Sequence, residues 1–179
     1  DGGRNDDFRA NSAMFMAVLR HYFERASTLV LNGDIEDLQR FRLQRIMTAW
    51  EPVYELFAAF GDLRRLHRLV GNHDLDLLSH PDWGSRVSEA IRFDYNGETI
   101  FVFHGHQTSR RYSRYNRLVG LGLRLFANPL AIKNYSVSHD SDRRFRTEEH
   151  VYRFSSQLKI LSIIGHTHRP LFESMSKID

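Results

Sequence analysis

The chain has 179 residues, of which 41% are hydrophobic and 12% aromatic. That is one domain's worth of sequence with enough apolar mass for a core, and it excludes disordered, collagen-like and low-complexity classes. There are ten histidines and no cysteine, so disulfides, thiolate nucleophiles and cysteine-held zinc are excluded, and any metal site must use His, Asp, Glu and Asn.

The formal charge is only +3, but it is unevenly spread. Residues 104–154 hold ten Lys/Arg against four Asp/Glu, a net of +6, while the remainder nets −3. The longest apolar stretch, Leu118 to Ile132, is interrupted by Arg124, Asn128 and Pro129. It falls short of the roughly 20 apolar residues that a membrane span needs, but it suits a peripheral contact. The opening Asp1-Gly2-Gly3-Arg4 carries no apolar leader and cysteine is absent. The expected location is cytoplasmic, or peripheral to the inner face of the membrane.

In chain order, Asn11 and Ser12 offer caps to a helix with Phe15, Val18, Leu19, Tyr22 and Phe23 at helical spacing. Thr28 to Leu31 reads as a short strand stopping at Asn32-Gly33-Asp34. A second helical pattern places Leu43, Ile46, Met47, Trp50, Val53, Tyr54 and Phe57 on one face, with a kink predicted at Pro52. Leu66 to Val70 reads as a strand ended by Gly71-Asn72. Ile91 to Tyr95 and Thr99 to Phe103 flank Asn96-Gly97, a strong tight-hairpin signal. Arg110 to Phe126 suggests a basic amphipathic helix. Thr147 is expected to cap a helix to Gln157, with Glu148 and Glu149 in its first turn. Leu158 to Ile164 reads as a long buried-type strand. Alternating strands and helices predict an α/β layered domain of β-sheets flanked by helices, with a helical cap insert over about 107–155.

Four strand-like runs end in a glycine flanked by metal-capable residues. These are Gly33-Asp34, Gly71-Asn72-His73-Asp74, His104-Gly105-His106 and Gly165-His166-Thr167-His168. In open α/β sheets the carboxyl ends of strands face the ligand crevice, so four strands would deliver polar tips to one place. Imidazole suits Zn, Fe or Mn, and carboxylate and amide oxygens favour Mn or Mg. Asp34 has two oxygens with which to bridge two ions. His106 is a near-site candidate, Asp37 is read as support for the Asp34 loop, and His21, His67, His80, His139 and His150 carry no required role.

The motifs Gly33-Asp34-Ile35-Glu36-Asp37, Gly71-Asn72-His73-Asp74, His104-Gly105 and Gly165-His166-Thr167-His168 resemble those of the calcineurin-like metallophosphoesterases. The resemblance spans residues 33–168. It implies two divalent metal ions, Mn foremost with Fe, Zn or Mg as alternatives. Asp34 would bridge them, Asn72, His104 and His166 would complete one shell, and His168 would serve the other. His73 would meet the substrate phosphate, held by Asp74. The implied reaction is hydrolysis of a phosphoester or diphosphate bond by a metal-bridging hydroxide. The family's opening D-x-H strand has no counterpart before Gly33, and the chain is expected to lack both ends of its domain.

The Gly-His-Thr-His-Arg169-Pro170 ending and the position of the insert resemble the UDP-2,3-diacylglucosamine hydrolase branch. Arg110, Arg111, Arg114 and Arg117 would then meet phosphates, with Leu118, Leu121, Leu123, Leu125 and Phe126 beside acyl chains or the membrane interface. The expected partner is a small phosphorylated substrate, lipid-linked in this reading, with peripheral membrane contact through the cap. His106 stands where that branch favours an aspartate. Two alternatives stay open: a phosphodiesterase or phosphatase acting on nucleotides or phosphoproteins, and a non-catalytic phosphate- or nucleic-acid-binding module. The nucleic-acid signal is weak, since no aromatic-rich platform accompanies the basic insert.

Overall fold

The computed structural model of the chain describes residues 6, 8–80, 87–108 and 141–168, with the side chains of 141–144 excepted. The predicted mixture of helices and strands is present: two three-stranded sheets with helices packed on them. The chain divides into two compact units, Asp1–Leu31 with Phe41–Arg68, and Asn32–Arg40 with Leu69–Asp179.

The first unit holds helix α1 (Ser12–Arg25), nearly all of strand β1 (Leu29–Asn32), α2 (Leu43–Ala49), α3 (Glu51–Asp62) and most of β2 (Leu66–Leu69). Leu19, Leu31, Val53 and Phe57 form its buried cluster, and Phe15, Met16, Trp50 and Tyr54 pack against it. Burying each such side chain is worth roughly 1.5–3 kcal/mol, and this lets helices only a few turns long hold their shape. Phe8 closes the cluster edge-on, with ring centroids 5.1 Å from Phe15 and 4.8 Å from Trp50. The kink predicted at Pro52 is a full break. Trp50 leaves the helical region at φ −122°, ψ 32°, and Pro52 sits in the first turn of α3. A proline there loses no hydrogen bond, because the first-turn N–H groups have no helical partner anyway.

The second unit carries the loop 33–40, the end of β2, β3 (Val87–Ser88), β4 (Ala90–Tyr95), β5 (Glu98–Phe103), α4 (Ser141–Leu158) and β6 (Leu161–Ile163). One sheet runs β1-β2-β3 and the other β4-β5-β6. The β4–β5 hairpin forms in the expected register, with Tyr95 opposite Glu98. Asn96 (φ 51°) and Gly97 (φ 83°) make its two-residue turn, the left-handed pair that matches strand twist. Strand β6 lies parallel to β5, Val102 opposite Ile163. Phe101, Phe103 and Phe154 stack against one another at 5.1–6.2 Å between centroids, joining α4 to this sheet.

Two sequence expectations are corrected. Helix α4 begins at Ser141, not Thr147. Thr147 and Glu148 are buried within it, so Thr147 lies inside the helix and not at its cap. The run Leu158 to Ile164 is not one buried strand. Lys159 takes a left-handed φ of 52°, and its N–H and that of Ile160 bond back to the carbonyls of Ser156 and Ser155. These residues terminate α4, so only Leu161–Ile163 remain as strand, with Leu161 and Ile163 exposed. The basic helix predicted over Arg110 to Phe126, with Arg110, Arg111, Arg114 and Arg117, lies outside the described residues. Among the described residues no helix is long and apolar enough to cross a membrane.

Candidate functional site

All of the candidate site described below lies within the second unit. The chain leaves β1 at Asn32, β2 at Leu69, β5 at Phe103 and β6 at Ile163. Within three residues of those ends come Asp34, Asn72, His104 and His166. The parallel register of β5 and β6 continues into the loops: the His104 carbonyl accepts hydrogen bonds from the N–H groups of Gly165 (3.0 Å) and His166 (2.9 Å). That pairing sets two imidazoles side by side, with Nδ1 of His166 3.2 Å from Nε2 of His104.

Glycine is required where the loops meet. A Cβ on Gly33 would sit 2.5 Å from the Gly71 nitrogen and 2.8 Å from Nδ1 of His104, and Gly33 has a φ of +77°. Asp34 follows, also left-handed at φ 54°. Such a conformation strains a side chain with a Cβ, and it survives here because Asp34 is fixed at both carboxylate oxygens. Oδ2 lies 3.1 Å from Nε2 of His104. Oδ1 accepts the backbone N–H of His73 at 2.8 Å.

His104 is fully buried and its ring is locked. Nδ1 donates to the Asn32 carbonyl at 2.8 Å, which leaves Nε2 facing both Asp34 and His166. A carbonyl behind an imidazole is the usual device for orienting a metal-binding histidine. Asp34, His104 and His166 each offer one ligand atom, all within 4.8 Å of one another. The chemistry of this donor set fits a divalent cation: one carboxylate oxygen and two ring nitrogens converge in a buried place. The electrostatics agree. Burial pushes the Asp34 carboxyl up, but the hydrogen bond and charge of His104 and the charge of His73 outweigh it and hold the carboxyl well below its usual range. Burial pushes His104 down, yet the Asp34 hydrogen bond and charge more than reverse this, and its affinity for a proton rises. Both shifts describe a pocket that favours positive charge between Asp34 and the imidazoles. His166, desolvated and next to His104, is pushed down to about 4, so its ring is neutral at pH 7.

His73 and Asp74 follow Asn72. Burial alone would lower the His73 proton affinity. The hydrogen bond that its ring donates to Asp37 and the charges of Asp34, Asp37 and Asp74 raise it instead. Nδ1 of His73 lies 3.0 Å from Oδ1 of Asp37. The expectation that Asp74 holds His73 is therefore corrected. Asp74 is completely buried and uses both oxygens on the backbone: Oδ1 accepts from Gly71 N–H at 2.6 Å, and Oδ2 accepts from Ile35 N–H at 3.0 Å. Asp74 thus ties the Gly71 loop to the Asp34 loop. Asp37 lies three residues after Asp34 in the same loop, where the sequence pointed only to support of that loop and not to a bond with His73. Gln39 is a second unforeseen support, its Nε2 donating to the Asn72 carbonyl at 2.7 Å.

The remaining candidates divide. Asn72 is buried in the same loop. His168 (φ 52°) is exposed and stands outside the three-residue cluster. His106 is buried, its ring 5.5 Å from that of His104 and 6.5 Å from that of His166.

Desolvation and the charges of Asp34 and Glu36 push Asp74 up to about 7. An Asp74→Asn variant keeps the shape but offers only one acceptor for two N–H donors. The expected cost is about 1–3 kcal/mol, the penalty of one buried donor left unmatched. Urea unfolding checks this, and an unchanged midpoint would remove Asp74 as the tie between the loops.

No curated protein matches the chain significantly. The family model for calcineurin-like phosphoesterase matches residues 6–170, a span that contains every described element and all four strand-end motifs. The chain belongs to the calcineurin-like phosphoesterase family, whose members hydrolyse phosphoesters with divalent metals.

Proposed function

We propose that the chain hydrolyses a phosphoester or diphosphate at the Asp34–His104–His166 centre, with His73 as the proton donor to the leaving oxygen. The observation that carries this reading is one carboxylate with two duties: Asp34 meets His104 through Oδ2 and the backbone of His73 through Oδ1. The acid–base candidate is thereby placed next to the metal-capable cluster. A divalent cation held there supplies Lewis-acid polarisation of a phosphoryl oxygen and lowers the pKa of water. Asp34, His104 and His166, with Asn72 beside them, would hold one ion, and His168 would serve a second. Mn is the favoured metal on the mixed nitrogen and oxygen donor set.

The protein's own share of the chemistry follows from its hydrogen bonds. Asp37 holds Nδ1 of His73, which leaves Nε2 to give up a proton. The raised proton affinity keeps that proton in place to higher pH than in a free imidazole. A lipid-linked diphosphate is the favoured substrate class. Its support is the sequence of the basic, leucine-rich stretch 110–126, which would pair phosphates with arginines and acyl chains with leucines at a membrane surface.

The test is hydrolysis of an aryl phosphodiester and of a UDP-diacylglucosamine-type lipid, each with Mn and with chelator. Turnover that survives complete metal removal would sink the proposal. A preference for the aryl ester with no response to the lipid would move the substrate to soluble phosphodiesters. Asp37→Asn supplies an independent check. His73 acts protonated, so activity is lost as pH rises through its raised pKa. Without Asp37, burial is less opposed and that limb of the pH–rate profile shifts to lower pH. An unmoved limb would show that Asp37 does not tune His73.

A further inference from the structure

His106 is 4% exposed, and its Nδ1 has no hydrogen-bond partner among the described residues. Its position is not loose. Gly105 N–H donates to Oε1 of Gln107 at 3.0 Å, and Nε2 of Gln107 donates to the Glu89 carbonyl at 3.0 Å. Thr108 returns two bonds to the Gly105 carbonyl, from its N–H at 3.3 Å and its hydroxyl at 2.9 Å. Gly105 itself has a φ of +111°, and a Cβ there would lie 3.3 Å from the His166 Cβ. The turn that presents His106 is therefore built against the metal-capable cluster. If the ring were only filler, a leucine would fill the space without burying an unmatched polar nitrogen. A histidine kept rigid and buried with an unpaired nitrogen is suited to bind a ligand that supplies the missing partner.

We propose that His106 is a substrate-binding residue of this site, whose open ring nitrogen hydrogen-bonds a phosphoryl oxygen of the ligand held at the Asp34–His104–His166 centre. This deepens the phosphoesterase reading and rests on it. The metal itself is the less suitable partner. The ligand atoms of Asp34, His104 and His166 form one tight group to which His106 contributes no atom. Its ring flanks those of His104 and His166 at 5.5 and 6.5 Å between centroids, beside the metal-capable cluster and not within it. A buried imidazole there selects a tetrahedral, oxygen-rich group, because each phosphoryl oxygen brings the acceptor or donor that the ring lacks.

The experiment uses the whole chain, Mn²⁺ and inorganic phosphate as probes. Manganese affinity is read from the free-ion paramagnetic resonance signal. Phosphate affinity is read from ³¹P line broadening on the Mn²⁺-loaded protein. The expected result is that His106→Ala weakens phosphate about 10- to 100-fold, leaves Mn²⁺ affinity within about twofold, and that His106→Gln recovers part of the loss. Should the alanine variant fail to fold, the glutamine variant alone decides, with a several-fold loss expected. Phosphate binding unchanged in both variants overturns the proposal, and so does a parallel fall in Mn²⁺ affinity, which would place the ring on the metal centre instead. A wild-type protein that binds Mn²⁺ yet broadens no ³¹P signal overturns the phosphoesterase reading and the role of His106 together. Normal phosphate binding in the wild type with no change in the variants overturns only the role of His106.

Discussion

Gly71→Ala is expected to disperse the metal-capable Asp34–His104–His166 cluster and destabilise the fold by at least about 3 kcal/mol, beyond the usual cost of overpacking by one methyl. The added methyl would run into Oδ1 of Asp34 and would sit 2.6 Å from the Asp34 backbone nitrogen. Neither neighbour can give way. The carboxylate is held at one oxygen by the His73 N–H and at the other by His104, and the backbone of the next residue, Ile35, is tied to Asp74. The Gly71 nitrogen is itself bonded to Asp74, so the glycine cannot retreat. Relief requires the two loops to part, and Asp34 then leaves the imidazoles. Thermal unfolding and equilibrium dialysis against Mn²⁺ check the two halves of this expectation. A variant that melts and binds metal like wild type would mean that the loops are not in contact as described.

Asp34→Asn is expected to leave a folded chain that binds divalent metal at least about 100-fold more weakly. Outer-shell partners of metal ligands alone are worth about 10- to 100-fold, and here a ligand would lose its charge. The amide oxygen still accepts from His73 N–H, so the loop survives. The amide nitrogen then faces His104, with neither a negative charge nor a lone pair to offer a cation. In the unaltered chain the same pair sets the pH dependence. His104 has its proton affinity raised by Asp34, and its proton competes with metal for Nε2. Metal binding is therefore weakest below that raised pKa and tightens as pH rises through it. In Asp34→Asn the His104 pKa falls, because burial is no longer outweighed, and the pH dependence moves down with it. Calorimetric titration with Zn²⁺ across the pH range decides the matter. Equal affinities, or a pH dependence of opposite sign, would exclude Asp34 as the anchor.

Much of this centre was legible in the sequence because it lies at strand ends. A β-branched or apolar run that stops at a glycine gives both the strand and its exit, and four such exits carried Asp34, Asn72, His104 and His166. The hairpin was equally legible, since Asn96-Gly97 permits few other conformations between two alternating runs. The partner of His73 was not. Asp74 is its sequence neighbour and Asp37 lies 36 residues away, but adjacent side chains seldom face one another in an irregular loop. The completely buried Asp74 is drawn instead to two N–H groups that have no other acceptor. The end of α4 was misread for a related reason. Leu158 to Ile164 is apolar at five of its seven positions, and a mostly apolar run of that length does not distinguish a buried strand from the end of a helix. Only the left-handed Lys159 marks the change. The break at Trp50 was visible as Pro52, but the sequence does not say whether a proline kinks one helix or starts another.

The two-handed grip of Asp34 also has a thermodynamic side. Its oxygens link the imidazole pair to a loop whose residue 73 is 39 positions distant in the chain, with little slack between them. Free energies of coupled events are reciprocal. A ligand that steadies the Gly71–Asp74 loop must tighten the binding of whatever Asp34 holds on its other side, and occupancy there must tighten that ligand's binding by the same factor. The carboxylate thus behaves as a lever with two loaded arms, and assembly of the site becomes cooperative without any domain having to move.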